Sequence, residues 1–135
     1  MDANFFVPFE TAKLLREKGY PQAENDWYYE PAGEMLINEG VAELLRHKAG
    51  DNADRIVAAP TYHEVIDWLE GKEPTFGIDT FDGISPIDFS RRYYCKLYLG
   101  IEENGRRRSK YNMHFEGDTR EAVLNAAIVK ALEML

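Results

Sequence analysis

The sequence predicts an α+β fold in which helices cover one face of an antiparallel sheet of three or more strands. Three observations lead to this prediction. A capped amphipathic helix follows Thr61, two long strand-like runs flank Asn104–Gly105, and an apolar-striped helix ends the sequence. From Thr61 onward the order is therefore α-β-β-β-α, preceded by an N-terminal helix and short strands. A chain of 135 residues is expected to form a single domain over residues 1–135.

The first half of the chain predicts one clear helix and several short elements. A helix is expected from Pro8 to Lys18, because proline suits a first helical turn and Gly19 can end the helix in a left-handed conformation. The aromatic run Asp26–Glu30 predicts a short strand. The next stretch is ambiguous, since residues 35–37 could extend a strand while residues 41–50 suggest a short helix.

A short strand at Arg55–Ala58 is expected to lead into the best-patterned helix. Thr61 fits an N-cap and Glu64 lies three residues later, so the two can form a capping box. Gly71 and Pro74 bracket the expected end of this helix. The apolar side chains that recur at helical spacing are Tyr62, Val65, Ile66, Trp68 and Leu69.

The C-terminal half continues as a meander that ends in a helix. Asp118 is expected to cap that helix, with Glu121 at its third position. The strands are expected at Thr75–Phe81, Arg92–Ile101 and Arg106–Phe115, with a loop at Asp82–Pro86. The apolar stripe of the last helix is predicted to consist of Leu124, Ala127, Ile128, Ala131 and Leu135.

The register of the last two strands can be tested against the apolar pattern. A two-residue type I′ turn at Asn104–Gly105 would put the apolar residues of the two strands on opposite faces. A three-residue loop, Glu103–Gly105, pairs Glu102 with Arg106 and uses Gly105 as a left-handed G1 bulge. We favour this loop because it gathers on one face Tyr93, Cys95, Leu97, Leu99, Tyr111, Met113 and Phe115.

The charge of the chain is negative but unevenly distributed. The 24 acidic and 16 basic residues give a formal charge of −8, which opposes generic attraction to nucleic acid or to anionic lipid. The window Arg91–Lys110 nevertheless holds seven basic and two acidic residues, a charge of +5 that leaves −13 for the rest. Such asymmetry can orient a partner, including a second copy of the chain.

Cellular location follows from composition. Cys95 is the single cysteine, so a secreted disulfide framework is not expected. The first residues lack the basic start of a signal peptide, and no apolar stretch approaches the roughly 20 residues that span a bilayer. We therefore expect a cytoplasmic protein without a membrane partner.

The candidate binding surface is the face of the last two strands that points away from the apolar residues. Its mixture of basic and aromatic side chains could hold phosphates and stack bases, or it could bind a protein. There are two alternatives. The face could be an ordinary solvent face of a sheet, or it could be covered by the N-terminal half or by a second copy. The candidate residues are Arg92, Tyr94, Lys96, Tyr98, Arg106, Arg107, Arg108, Lys110, Asn112 and His114.

Signatures of catalysis and cofactor binding are missing from the sequence. It contains no phosphate-binding glycine loop, no HExxH motif and no paired cysteines, so no catalytic residue, metal or cofactor is predicted. His63, near Glu64 and Asp67, is better explained as part of a helix surface than as a catalytic base. Cys95 is expected to be a small buried side chain opposite Met113.

Four segments carry a resemblance to known proteins. Taken in order, they are similar to small uncharacterised proteins of bacterial prophages and mobile elements, a family with no assigned activity. The resemblance implies phage-associated ancestry and an intracellular setting. The segments are Val7–Gln22, Asp26–Tyr29, Val57–Leu69 and Arg120–Glu133.

The α-β-β-β-α order also resembles the double-stranded RNA-binding domain, at the level of fold alone. That family places lysines at the start of its last helix, where this chain has the acidic stretch Gly117–Glu121. RNA binding in that manner is therefore not expected.

Three functional hypotheses follow. The first is a non-enzymatic interaction protein of phage or mobile-element origin, with a protein partner or self-association. The second is nucleic-acid binding by the basic hairpin, residues 91–110. The third is an enzyme with an unrecognised site, which would need a deep pocket with converging polar groups.

Overall fold

The computed structural model describes residues 5–33, 36–49, 56–72 and 75–135. Within these ranges it contains four α-helices and two antiparallel three-stranded sheets, which confirms the α+β class. The chain divides into two compact units, Met1–Thr61 and Tyr62–Leu135, which are described separately below. The single domain over residues 1–135 stays a prediction.

The N-terminal unit contains two helices and a small sheet with the strand order β2-β1-β3. The ambiguous stretch forms a short strand followed by a helix, while Met35 and Gly50 lie outside the described residues. The elements are α1 at Phe9–Glu17, β1 at Trp27–Tyr29, β2 at Leu36–Asn38, α2 at Glu39–Ala49 and β3 at Val57–Ala58.

Helix α1 ends as its sequence predicts. Gly19 adopts a φ of 96°, and its N–H donates to the carbonyl of Arg16 at 3.1 Å. The next N–H, that of Tyr20, donates to the carbonyl of Leu15 at 2.9 Å. These two bonds form a Schellman motif, which satisfies carbonyls that the helix end would otherwise leave unpaired.

The core of the N-terminal unit surrounds Tyr28, whose side chain is fully buried. Its hydroxyl accepts a hydrogen bond from the N–H of Asn25 at 3.1 Å, so burial of this aromatic ring leaves no polar atom unpaired. On the neighbouring strand, the N–H of Ala58 donates to Oε1 of Gln22 at 2.9 Å. The Gln22 side chain thus adds a hydrogen bond to a sheet with very short strands.

The C-terminal unit has the predicted order of helix, three strands and helix. Strand β4 runs three residues beyond its predicted end, through part of the expected loop, and the connection to β5 begins at Ser85. The Thr61–Glu64 capping box stays a prediction. The elements are α3 at Tyr62–Glu70, β4 at Thr75–Ile84, β5 at Arg91–Glu103, β6 at Arg106–Gly117 and α4 at Arg120–Glu133.

The prediction that Asp118 caps α4 is wrong. Thr119 is the N-cap, and its hydroxyl accepts from the N–H of Ala122 at 3.1 Å. The predicted apolar stripe is only partly right, because Leu124 is half-buried and Leu135, which lies beyond the end of α4, is 37% exposed. The buried side chains of α4 are Val123, Ala127, Ile128, Ala131 and Leu132.

The predicted three-residue loop in the last hairpin is also wrong. Glu103 pairs with Arg106, and the two residues between them have φ values of 53° and 76°, as a type I′ turn requires. The strands then change register, since Gly100 pairs with Ser109 while Leu99 pairs with Tyr111. Lys110 is therefore an extra residue in β6, that is, a β-bulge.

The bulge restores the face that the sequence predicted. Beyond it, Leu97 pairs with Met113 and Cys95 with Phe115, each two positions from the predicted partner. A shift of two residues keeps each side chain on the same side of a strand. The apolar face is thus correct although the turn and the pairs were not.

Helices α3 and α4 pack on that apolar face of the β4-β5-β6 sheet. Cys95 and Leu97 are buried beneath them, whereas their sequence neighbours Tyr94 and Lys96 are only half-buried. None of the helices in the described ranges combines the length and apolar composition that crossing a bilayer requires.

Candidate functional site

The face of the C-terminal sheet opposite the helices is called the outer face here, and the strand register defines its members. Strand β5 pairs with β4 on one side and with β6 on the other. From Tyr93 to Gly100, each residue of β5 therefore has a neighbour on both strands, and the three residues form a row across the sheet. The outer face consists of Gly77, Asp79, Phe81 and Gly83 on β4, Arg92, Tyr94, Lys96 and Tyr98 on β5, and Asn112, His114 and Glu116 on β6.

An aromatic pair lies near one end of the outer face. The rings of Phe81 and Tyr94 are stacked, with centroids 5.2 Å apart and planes 14° from parallel. Phe81 remains 46% exposed although it is part of this pair. Stacked rings of this kind contribute about 0.5–1.5 kcal/mol beyond area burial, so the pair is held in a defined geometry while it presents apolar carbon to solvent.

Two glycines of β4 lie beside tyrosine side chains of β5. A methyl group on Gly77 would lie 3.6 Å from Cδ2 of Tyr98, and one on Gly83 would lie 3.6 Å from Cε2 of Tyr94. These distances are ordinary contacts, so the rings cover strand positions that lack a side chain of their own. The tyrosines therefore add to sheet stability and present a broad aromatic surface at the same time.

Arg92 is engaged in ion pairs across the sheet. Its Nε donates to Oε1 of Glu116 at 3.0 Å, and its Nη1 contacts Oδ1 of Asp118. The hydrogen bond to Glu116 is the main reason that the pKa of Arg92 is raised above its usual value. This predicted site residue is thus held by carboxylates that an incoming phosphate would have to displace.

The outer face is close to neutral in its described side chains. Arg92 and Lys96 supply two positive charges, while Asp79 and Glu116 supply two negative ones. Asp79 on β4 pairs with Lys96 on β5. Strand β4 therefore adds a carboxylate to a surface that the sequence analysis, which considered only β5 and β6, described as basic. Tyr94 and Tyr98 lie on this face as predicted, together with Asn112 and His114 on β6.

The remaining predicted residues belong to the hairpin end. Arg106 is exposed next to the turn and is the first residue of β6. The side chains of Arg107, Arg108 and Lys110 lie outside the described part of the structure. Their backbone pairing places the first two in the strand end beside the turn and the third at the bulge.

Sequence reasoning predicted a loop at Asp82–Pro86 between β4 and β5 but missed the exposed apolar side chains in and beside this connection. Ile84, Ile87 and Phe89 are 69%, 91% and 80% exposed. These are the highest exposed fractions among the large apolar side chains that the structure describes. The signal was a proline with serine and aspartate turn formers interleaved with large apolar residues, a segment too short to be a helix or a strand. Pattern reasoning assigns apolar residues to a core and so passed over it.

The β4–β5 connection is ordered by its own hydrogen bonds. The N–H of Ser85 donates to the carbonyl of Ser90 at 2.8 Å, and the N–H of Phe89 donates to the carbonyl of Ser85 at 2.9 Å. Oδ1 of Asp88 accepts from the N–H of Ser90 at 3.0 Å. Phe89 has a φ of 59°, a conformation that costs about 1–3 kcal/mol for a bulky residue, so these bonds hold it against strain.

A shallow open cavity of about 350 Å³ lies at the start of α4. Its acidic and basic groups are largely paired, because Arg91 Nε donates to Oδ2 of Asp82 at 3.0 Å and Asp118 contacts Arg92. The pairing lowers the pKa of Asp82 and raises that of Arg91. The cavity is lined by Asp82, Arg91, Tyr93, Asp118, Thr119, Arg120 and Glu121.

Groups with catalytic potential are dispersed in the described structure. His63 Nε2 lies 3.4 Å from Oδ2 of Asp67 on the exposed side of α3, one helical turn apart. Cys95 is buried, and desolvation followed by the charge of Asp79 raises the pKa of its thiol to about 11. Among the described residues, no group of three or more histidine, cysteine or carboxylate side chains is placed to hold a metal ion.

Comparison with known proteins adds no relative: no protein-family model, curated protein or solved structure matches this chain.

Proposed function

We propose that this chain is a non-enzymatic interaction protein, of phage or mobile-element origin and located in the cytoplasm, whose outer face binds a protein partner. The observation that carries the proposal is the stacked Phe81–Tyr94 pair, in which Phe81 is exposed and Tyr94 half-buried, on a sheet face of balanced charge. Tyrosine and phenylalanine are enriched at the centres of protein interfaces, whereas lysine, aspartate and glutamate are depleted there.

The charge of the outer face favours a protein over a nucleic acid. A surface that binds a phosphate backbone gains affinity from an excess of basic groups. Here Glu116 and Asp118 engage Arg92, and Asp79 is the register partner of Lys96. Side chains of both signs instead suit a partner surface that carries complementary charges of both signs.

Photo-crosslinking in cells tests the proposal. Benzoylphenylalanine would replace Phe81, which lies on the outer face, and in a control would replace Glu133, which is exposed on α4. We expect one protein adduct from the first position and none from the second. A protein that crosslinks equally from both positions contradicts the proposed site.

The crosslinked protein would then be purified and its dissociation constant measured by calorimetry. Lys96→Glu changes the charge of the outer face, and we expect it to weaken binding by about tenfold or more, while Glu133→Lys leaves binding unchanged. An unchanged dissociation constant for Lys96→Glu would refute the proposal. So would robust turnover by the purified chain in a broad hydrolase screen.

The nucleic-acid alternative is supported by the basic residues near the turn and is tested separately. It predicts weak, salt-sensitive binding that disappears when Arg106, Arg107 and Arg108 become serine. A mobility shift at about 50 mM salt that this triple variant abolishes would favour nucleic acid over protein.

A further inference from the structure

The two ends of the C-terminal sheet differ in chemistry. The loop end comprises the β4–β5 connection, Ser85–Ser90, with the adjoining ends of the three strands. The turn end comprises Asn104–Gly105 with the adjoining ends of β5 and β6. Because β5 spans 13 residues at about 3.3 Å each, roughly 40 Å separates the two ends.

The loop end is apolar and acidic. Ile87 and Phe89 are almost fully exposed, and the hydrogen bonds of Ser85 and Ser90 fix the backbone that presents them. The charged residues here give a formal charge of −2; they are Asp82, Asp88, Glu116 and Asp118 against Arg91 and Arg92. An exposed aromatic ring that follows Asp88 in a loop with a hydrogen-bonded backbone is a suitable surface for arginine, whose guanidinium stacks on rings and pairs with carboxylates.

The turn end is rich in arginine. Its charged residues give a formal charge of +2; they are Arg106, Arg107, Arg108 and Lys110 against Glu102 and Glu103. Asn104, Gly105 and Arg106 are exposed in the part of the chain that the structure describes. The same sheet therefore carries an arginine-rich end and an end suited to arginine.

We infer that the chain associates with itself head to tail, with the turn end of one copy docked on the loop end of the next. Two loop ends, or two turn ends, would bring like charges together, so a twofold contact through either end is disfavoured. A heterologous contact leaves one free end of each kind, and it therefore propagates to a ring or an open filament. The loop end shares Arg92 and Glu116 with the outer face, but the contact is centred on Ile87 and Phe89, and the inference does not depend on the proposed function.

Sedimentation velocity of the purified chain tests the inference directly. At about 20 mM salt, we expect the average mass to rise with protein concentration between about 10 µM and about 500 µM. At about 200 mM salt, where exposed charges are screened, the association constant should fall about tenfold or more. A chain that stays monomeric throughout this range at low salt overturns the inference.

Two complementary variants distinguish a heterologous contact from other modes of association. The loop variant is Ile87→Ser with Phe89→Ser, and the turn variant changes the three consecutive arginines, Arg106, Arg107 and Arg108, to serine. Each alone keeps one functional end and should be monomeric. Mixed in equal amounts they should form a dimer and nothing larger, because only one pair of intact ends remains.

Controls guard against trivial explanations. Leu44→Ser removes an exposed apolar side chain from α2 and should leave association unchanged. If the loop variant loses its native circular dichroism, Asp88→Asn tests the same end, because it removes the charge while keeping the oxygen that accepts from Ser90; we expect several-fold weaker association. Association of the loop variant at wild-type strength, or absence of dimer in the mixture, contradicts the inference.

Two further measurements exclude other occupants of the loop end. The first is binding of the chain to phosphatidylcholine vesicles, with or without phosphatidylserine. Binding that is lost when Ile87 is replaced would show that the loop end binds a lipid surface, and it would contradict the inference of a second copy. Lys96→Glu on the outer face should leave self-association intact, and the loop variant should keep its crosslink from Phe81. Loss of both activities in a single variant would contradict the independence of the two surfaces.

Discussion

Replacing Gly33 by alanine probes the contact between α1 and the segment that follows β1. Gly33 has a φ of 77°, and a methyl group there would lie within 2.6 Å of Cγ of Phe9. The ring is not free to yield without cost, since it packs edge-on against Tyr29 at 5.4 Å and lies 4.9 Å beneath the ammonium of Lys13. Gly33→Ala should therefore destabilise the N-terminal unit in two ways.

The two contributions can be estimated separately. A left-handed conformation costs an alanine about 1–2 kcal/mol. Displacing the Phe9 ring forfeits an aromatic pair, about 0.5–1.5 kcal/mol, and a cation–π contact at an exposed site, about 0.5–1 kcal/mol. We expect a loss of about 2–4 kcal/mol in the free energy of unfolding. Gly19→Ala is the matched control, because φ there is 96° but no atom lies within 4 Å, so it should lose only about 1–2 kcal/mol.

Urea unfolding followed by tryptophan fluorescence measures these losses. The chain has two tryptophans, and a Trp68→Phe background leaves Trp27 to report on the N-terminal unit. In a Phe9→Ala background the ring is gone, so Gly33→Ala should then cost no more than Gly19→Ala. Equal losses for the two glycine variants with Phe9 present would refute the steric reasoning.

Three further predictions concern the C-terminal unit. Thr119→Ala should cost about 1 kcal/mol of stability in urea unfolding because α4 loses its N-cap, whereas Thr119→Ser and Asp118→Ala should cost less. Gly77→Ala should stabilise the unit by about 0.5 kcal/mol, because the methyl group meets Tyr98 at an ordinary distance and restricts the unfolded chain; a loss of stability would contradict this reading. Burial raises the pKa of Cys95 to about 11, so the unfolded chain releases this proton at lower pH than the folded chain does. The contribution of Cys95 to the free energy of unfolding should therefore be constant near pH 8 and fall between about pH 9 and pH 11, by an amount on the order of 2 kcal/mol, and Cys95→Ala should remove that part of the pH dependence.

Local chemistry accounts for the elements that the sequence predicted well. Gly19 ends α1 because only a few residues adopt a left-handed conformation cheaply, and that preference is visible in the sequence itself. The N-cap of α4 was misassigned because Asp118 and Thr119 are both good caps and adjacent in sequence. The choice depends on Arg92, more than 20 residues away, which engages the aspartate and leaves the threonine to cap.

Register was harder to predict than strand identity. A three-residue loop and a two-residue turn followed by a bulge at Lys110 each leave one residue unpaired. Both place the same side chains on the apolar face, so the apolar pattern could not distinguish them. The charge of the outer face depended on a second unknown, the pairing of β4, which sets Asp79 opposite Lys96. The exposure of Ile87 and Phe89 was unpredictable for a different reason, because the sequence does not show which apolar side chains the fold leaves uncovered.

The bulge at Lys110 divides the last hairpin into two parts, and a different constraint sets the alternation of side chains in each part. Between Leu99 and the start of β5, residues must alternate in phase with the buried core, so insertion of one residue would turn Cys95 or Leu97 outward. Between Gly100 and the turn, the phase is set by the type I′ turn alone. The hairpin tip can therefore gain or lose residues in pairs, or change its charge by substitution, during evolution while the pairing of the core residues stays intact.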